Sequence, residues 1–313
     1  MSYRIPRCRV LPLPDHQVSF EIDRQERLRW HFGPQYSRPF IYPFYGPSRI
    51  SLTRMGHPGT VSHDHHRSIW FAHPKVMGMN FWSENNDQGT YCRQQAWLAY
   101  EDRDDEARMA VQIGWFDGHD AAPLIEQDLV LAVRTTSAEE TVLELQTTFR
   151  PVAETLELGE STLGPLGIRV SAELSEYFGG GQLTNTHGDQ GETNIFGKPA
   201  NWVDYSGPVQ NDEQEGITCF YHPENINAPV GWHVREDGWM SASVCGKSPL
   251  LLKRSMPTTL RYLLWAHAGT VDKNNADTLF EQFAQTKPYV VKPASTRHRE
   301  FEIHRSKNSS TDV

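Results

Sequence analysis

The chain has 313 residues, with 30 Lys and Arg against 39 Asp and Glu, giving a formal charge of −9 with histidines neutral. That balance, with no run of five or six basic residues, argues against a phosphate-tracking surface, and nucleic acid is not an expected partner. No stretch approaches the ~20 apolar residues needed to cross a bilayer, and the mean hydropathy is −0.59, so no membrane is expected either.

The start, "MSYRIPRCRVLPLPDHQ", never assembles the apolar core of a secretory signal, which predicts a cytoplasmic protein. Cys8, Cys92, Cys219 and Cys245 are scattered with no CxxC pair, the pattern of reduced, partly buried thiols. Period-two alternation predicts strands at 109–115, 129–135, 141–149 and 259–267. Turn signals follow them at "FDGHD", "TSAEE", "FGGGQ" and "REDGW". Only "NNADTLFEQFAQT", 274–286, reads as helix, with Asn275 or Asp277 as N-cap and Leu279, Phe280 and Phe283 on one face. No linker or fixed-period repeat divides the chain, so a single domain over 1–305 is expected, followed by a disordered tail at 306–313. A mostly antiparallel chain of this length buries its apolar faces by stacking sheets, which makes the expected fold class all-β, a large antiparallel β-sandwich with one short helix near the C-terminus.

Three stretches concentrate polar and aromatic groups between Gly and Pro residues, as expected of loops at strand ends. The first, "VSHDHHRSIWFAH" and its continuation, holds His63, His65, His66, Arg67, Trp70, Trp82 and Glu84. The second, 185–207, holds His187, Asp189, Glu192, Trp202, Asp204 and Tyr205. The third, 220–239, holds His222, Asn225, Trp232, His233, Arg235 and Asp237.

In an extended segment His63 and His65 share one face, with Asp64 and His66 opposite, and an H-x-H pair can ligate a metal if His222, His233 or Asp204 supplies a third donor. An acid–base site asks for less geometry, because an imidazole near ~6.5 exchanges protons at neutral pH and needs only a carboxylate partner. Arginines suit hydroxyls or a carboxylate, and the flat faces of Trp70, Trp82, Trp202 and Trp232 suit a sugar ring. A third possibility is that the tryptophans are core and the histidines satisfy loop backbone. There is no G-x-S-x-G elbow, no P-loop, and the "GGGQ" at 179–182 lacks the context of a dinucleotide site, so the cofactor is unknown.

The succession "RPFIYPFYGPSRISLTR…HDHHRSIWFAH", "LGIRV…NWVDYSGP" and "FYHPENINAPVGWHVREDG", then "LRYLLWAHAG", resembles the soluble bacterial family labelled PmoA-like, after methane oxygenase, from about Arg38 to Gly269. The family pattern has "HPHHRG" where this chain reads "HDHHRS", and an Asn-Pro-Phe-Gly element where it reads "SVCGK". The label belongs to an integral membrane subunit, whose spanning helices this chain lacks. The resemblance implies instead a β-sandwich similar to galactose mutarotase-like supersandwiches. By that analogy His65, His66, His233 and Asp204 are the candidate acid–base residues. Arg67, Trp70, Trp82, Glu192, Trp202, His222, Asn225, Trp232 and Arg235 are the candidate substrate contacts. The expectation is a carbohydrate-active protein, an epimerase, lyase or hydrolase acting on a small sugar or oligosaccharide. The alternatives are a metal-dependent oxygenase or isomerase with histidine ligands, and a non-catalytic carbohydrate-binding module.

Overall fold

The computed structural model describes residues 4–57, 59–60, 63–84, 88–136, 140–210 and 213–307. Outside the described residues lie 308–313 of the predicted tail, 137–139 of one predicted turn, and Val61 and Ser62 of the histidine-rich stretch. The strands in chain order are β1 (Cys8–Leu13), β2 (Gln17–Ile22), β3 (Gln25–His31), β4 (Phe40–Phe44), β5 (Ile69–Phe71), β6 (Tyr91–Glu101), β7 (Ala107–Phe116), β8 (Ile125–Thr135), β9 (Thr141–Pro151) and β10 (Thr155–Leu158). They continue with β11 (Leu166–Arg169), β12 (Gln182–Asn185), β13 (Trp202–Pro208), β14 (Gln214–Tyr221), β15 (Trp232–Arg235), β16 (Trp239–Ala242), β17 (Leu250–Lys253), β18 (Thr258–Ala268), β19 (Tyr289–Pro293) and β20 (Phe301–Arg305). Among the described residues three helices interrupt them: α1 (Glu176–Gly179), α2 (Glu192–Ile195) and α3 (Lys273–Gln285).

The fold is an all-β sandwich, as the alternation predicts. One eight-stranded sheet runs β1-β2-β3-β4-β5-β11-β16-β15 and a second runs β12-β13-β14-β18-β9-β8-β7-β6. The four strands predicted from period two are β7, β8, β9 and β18, the long central members of the second sheet. No helix among the described residues is long and apolar enough to cross a membrane. All four cysteines are buried and free.

The two sheets close on a shared apolar layer, to which the first sheet sends Phe20, Leu28, Ile69, Ile168, Trp232 and Met240, and the second Met109, Leu131, Leu145, Tyr205, Ile217 and Tyr262. Because successive side chains on a strand point to opposite faces, every one of these inward residues fixes an outward neighbour. On the second sheet the outward set includes Val142, Trp202, Phe220 and Leu263, covered by Ala276, Leu279 and Phe283 of α3. The expected helix is therefore present, but its N-cap is Asp272, whose side chain accepts from the Asn275 amide at 2.9 Å. Asp277 is instead the acceptor for the Trp202 indole, at 2.9 Å. The two four-residue helices α1 and α2 are too short to leave a 3.6-residue period in the sequence, and both flank the outward face of the first sheet near β15.

Candidate functional site

The outward face of the first sheet is built by the same alternation. On β5 Ile69 and Phe71 go in and Trp70 goes out. On β11 Gly167 and Arg169 go out, on β16 Trp239 and Ser241, and on β15 His233 and Arg235. Register then sets these outward residues side by side, with Phe40 opposite Trp70, Trp70 opposite Gly167, Arg169 opposite Trp239, and Trp239 opposite Arg235. Gly167 is required for this packing. A Cβ there would stand 2.6 Å from the Trp239 ring and 3.0 Å from that of Trp70. Its absence lets Trp70, Trp82 and Trp239 form a floor with centroids 5.3 to 5.4 Å apart, each such pair contributing about 0.5–1.5 kcal/mol beyond its buried area.

Over this floor lies the histidine-rich loop. It is not extended: the His66 amide donates to the His63 carbonyl at 3.0 Å, and the tight turn brings His63, His65 and His66 to one side. The expected split of His63 and His65 from His66 is thereby overturned, while Asp64 lines a different hollow. Ring centroids lie 4.6 Å apart for His65 and His66, 5.1 Å for His63 and His66, and 5.4 Å for His57 and His63. His66 stacks on both Trp70 and Trp239, at 5.4 and 5.2 Å.

Loop and sheet flank a cavity of about 520 Å³ lined by His57, Thr60, His63, His65, His66, Trp82, Ser83, Leu163, Arg169, His233, Arg235, Asp237 and Trp239. Its charge is organised around Asp237. Arg169, itself 1% exposed, donates to both carboxylate oxygens at 2.9 and 3.1 Å, and the His57 Nε2 lies 3.0 Å from Oδ2. Burial would raise the Asp237 pKa, but the Arg169 bonds and charge, with His57, outweigh it and hold the group below the ordinary carboxylate range.

Three of the histidines are lowered as well, which in an imidazole favours the neutral form. Burial first, then the neighbouring cationic groups, lowers His66 to about 2 and His63 below its ordinary value. Burial and the Arg235 charge lower His233 to about 4. His233 is thus a neutral imidazole at pH 7, with Nδ1 held by the Thr162 hydroxyl at 3.0 Å and Nε2 left for a ligand. Four buried polar atoms of the floor and wall, the His66 Nδ1, the Arg169 Nε and the Trp70 and Trp239 indole nitrogens, have no partner in the protein. Among the described residues no group of three His, Cys, Asp or Glu side chains is disposed to hold a metal ion.

Of the residues expected from sequence, His65, His66, His233, Trp82 and Arg235 meet in this cavity. Glu192 stands at its rim, 3.0 Å from the Arg235 guanidinium, and accepts from the Glu236 amide at 2.7 Å. Trp70 belongs to the floor, 1% exposed. Arg67 does not line the cavity; it forks onto Glu84 and lies over the Tyr36 ring, pinning the loop that carries Trp82.

Asp204 is not in the site. It follows Trp202 by two residues on β13, so it points outward from the second sheet, on the far side of the sandwich, fully buried between His267 at 2.9 Å, Ser206 and Thr218. Trp202 sits on that same far face under α3. His222 contacts the Phe283 carbonyl and Arg261, and Asn225 exchanges two hydrogen bonds with the Arg261 backbone, so both are structural there. Trp232 points into the core, its indole donating to the Ala200 carbonyl at 2.9 Å. A third metal donor from His222 or Asp204 is excluded by the same placement.

The sequence reading leaves out His57, Arg169 and Trp239, and counts Asp237 in the third polar stretch without giving it a role. Arg169 and Trp239 were open to the alternation argument, since "LGIR" and "WMSA" each place two apolar residues inward. His57 and Asp237 carry no such periodic signal. The expected platforms also differ in kind: Trp82 is 5% and Trp70 1% exposed, as Trp239 is 2%, so none offers an open face to solvent.

Residues 17–281 match the family of unknown function DUF6807. The chain belongs to that family. Its description names no activity and does not carry the methane oxygenase label. No curated protein matches in sequence. Similar solved structures include a protein named as a kojibiose phosphorylase from the human microbiome, at 7% identity and TM-score 0.34, covering 90% of this chain and 37% of that one. Another is a 4-alpha-glucanotransferase from Thermococcus litoralis, at 10% identity and TM-score 0.33, covering 83% and 39%. The chain spans about two fifths of the length of each, and at these scores the likeness says nothing of its activity.

Proposed function

We propose that the chain acts on a carbohydrate in the cavity over the outward face of the first sheet, by proton transfer through histidine. The observation that carries this reading is one open cleft in which a neutral His233, the Asp237–His57 pair and two arginines meet over a tryptophan floor. His233 Nε2 takes the proton from the sugar, while its Nδ1 bond to Thr162 holds the ring in place. His57, held by Asp237, supplies a second imidazole on the same wall that, in its protonated form, gives a proton to the sugar, and exchange with water then resets both rings. Arg235, 55% exposed and tethered by Glu192, orients hydroxyls at the mouth. Epimerisation, elimination and hydrolysis all need that pairing of a group that takes a proton with one that gives it.

A binding-only role is favoured by one feature. At a pKa of about 2, His66 is too weak a base to carry protons at neutral pH, and it serves as a hydrogen-bonding neutral ring. The PmoA-like label adds no chemistry to either reading. A panel of sugars assayed for binding and for turnover, with wild-type protein and His233→Ala, separates them. Turnover that falls about 10²-fold or more in the variant supports catalysis. Binding without turnover supports the second reading, and a sugar turned over equally by both proteins refutes the site.

A further inference from the structure

The cavity is not isolated. A second hollow of about 340 Å³ lies at one end of the β15–β16 hairpin, where Gly231, Ser243, Lys247 and Phe196 line it. A third, of about 390 Å³, lies at the hairpin's turn, between Tyr177 and Phe178 on one side and Glu236 and Asp237 on the other. The central cavity falls between them, around His233, Arg235 and Trp239. The three follow the strand direction in file, and Gly231 to Arg235 alone spans about 13 Å.

Their walls are shared. His57, Thr60 and Asp237 line both the central and the third hollow. Thr162 lines the hollow near Gly231 and binds His233 at 3.0 Å, while the Phe196 ring lies 5.0 Å from that imidazole. At both ends stand aromatic side chains that the fold leaves uncovered: Phe196 is 41% exposed, Phe178 41% and Tyr177 68%. Apolar rings stay in water on a protein surface singly without meaning, but here each flanks the same cavity. At the Phe196 end the Gly231 hollow also offers Thr162, Asn227, Ser243 and Ser248, with Lys247 its one charged lining side chain among the described residues.

From this arrangement we infer that the groove takes an oligosaccharide of at least three sugar residues, laid along β15 and β16 with its middle ring against His233. The inference rests on the sugar reading above and extends it to chain length. Partly exposed aromatic rings at both ends, with polar and charged groups between and beside them, match a glycan, whose rings present C–H faces for stacking and hydroxyl edges for hydrogen bonds. Trp82 and Trp239 are too buried to take that part, whereas Phe196, Phe178 and Tyr177 keep 41%, 41% and 68% of their surface open. A single sugar at His233 would leave both aromatic ends bare.

The test is calorimetric titration with gluco-, galacto- and manno-oligosaccharides of one to five residues, using wild type, Phe196→Ala and Tyr177→Ala/Phe178→Ala. Affinity in one series is expected to rise about tenfold or more between one and three residues and then level off. Each variant is expected to weaken trisaccharide binding about threefold to tenfold while leaving the monosaccharide within about twofold. These side chains lie at the surface, and thermal melts establish that the variants fold; the wild-type length series needs no variant. A monosaccharide bound as tightly as its oligomers overturns the groove and leaves the sugar reading standing. Failure of every sugar, at every length, to bind or turn over overturns both.

Discussion

Two histidine–aspartate pairs of nearly equal length occupy opposite outer faces of the sandwich. His267 and Asp204 meet at 2.9 Å on the second sheet, and His57 and Asp237 at 3.0 Å above the first. The first pair is 1% and 0% exposed, hemmed in by Ser206, Thr218 and the segment leading into α3. The second is 10% and 28% exposed and borders a cavity shared with six more titratable or cationic side chains, His63, His65, His66, Arg169, His233 and Arg235. The two pairs differ not in bond length but in access to solvent, which the role proposed for the second requires.

The largest effect that sharpens this contrast is on turnover. Asp237→Asn removes the anion that Arg169 and His57 share, and is expected to lower turnover per folded molecule by at least about 10²-fold, with some loss of stability because the buried Arg169 also loses its partner. Asp204→Asn is expected to leave turnover per folded molecule unchanged. Its cost falls on stability instead, about 3–5 kcal/mol by urea denaturation, because His267 loses the partner that its burial requires. Activity lost in proportion with the Asp204 change, measured on folded protein, would reverse the assignment.

Next in size is pH. An unfolded imidazole titrates near ~6.5, whereas burial holds native His222 and His233 at about 4 and His66 at about 2. Below 6.5 the unfolded chain therefore binds protons that the native chain refuses, and stability falls as the pH drops toward 4, by about 1 kcal/mol per pH unit for each buried group. His267 has the opposite sign. Burial alone would lower it, but the charge and bond of Asp204 raise it, so that pair stabilises fully below about 6.5 and its contribution fades as pH rises through the raised value. Urea midpoints between pH 4 and 9 test both signs, and His66→Asn is expected to flatten only the acid side.

A smaller effect is steric. Gly167→Ala puts a methyl into the Trp70–Trp239 contact, and is expected to cost about 1–3 kcal/mol and weaken sugar binding, since the floor must shift. Unchanged stability would mean that the rings are free to part, contrary to the packing described.

Much of this was legible in the sequence. The central strands of the second sheet are long enough for period two to be unmistakable, and "WHVR" carries the same alternation that sends His233 and Arg235 outward. The density of histidine in "HDHHRS" located one wall of the cavity. What the sequence cannot carry is which outer face a strand belongs to. "WVDYS" alternates as cleanly as "WHVR", so Asp204 and His233 looked equally presentable, yet α3 lies over one face and a loop with a cavity over the other. The tight turn at His63–His66 was hidden for a related reason: a local hydrogen bond replaces the extended geometry that the alternation argument assumes.

The most direct test of this account is imidazole NMR of histidine-labelled protein at pH 7, titrated with a sugar that the binding panel identifies. The account predicts that the His66 and His233 resonances move with sugar while those of His267 and His222 stay fixed. Movement of His267 with His233 unperturbed would contradict it and place the ligand on the other face of the sandwich.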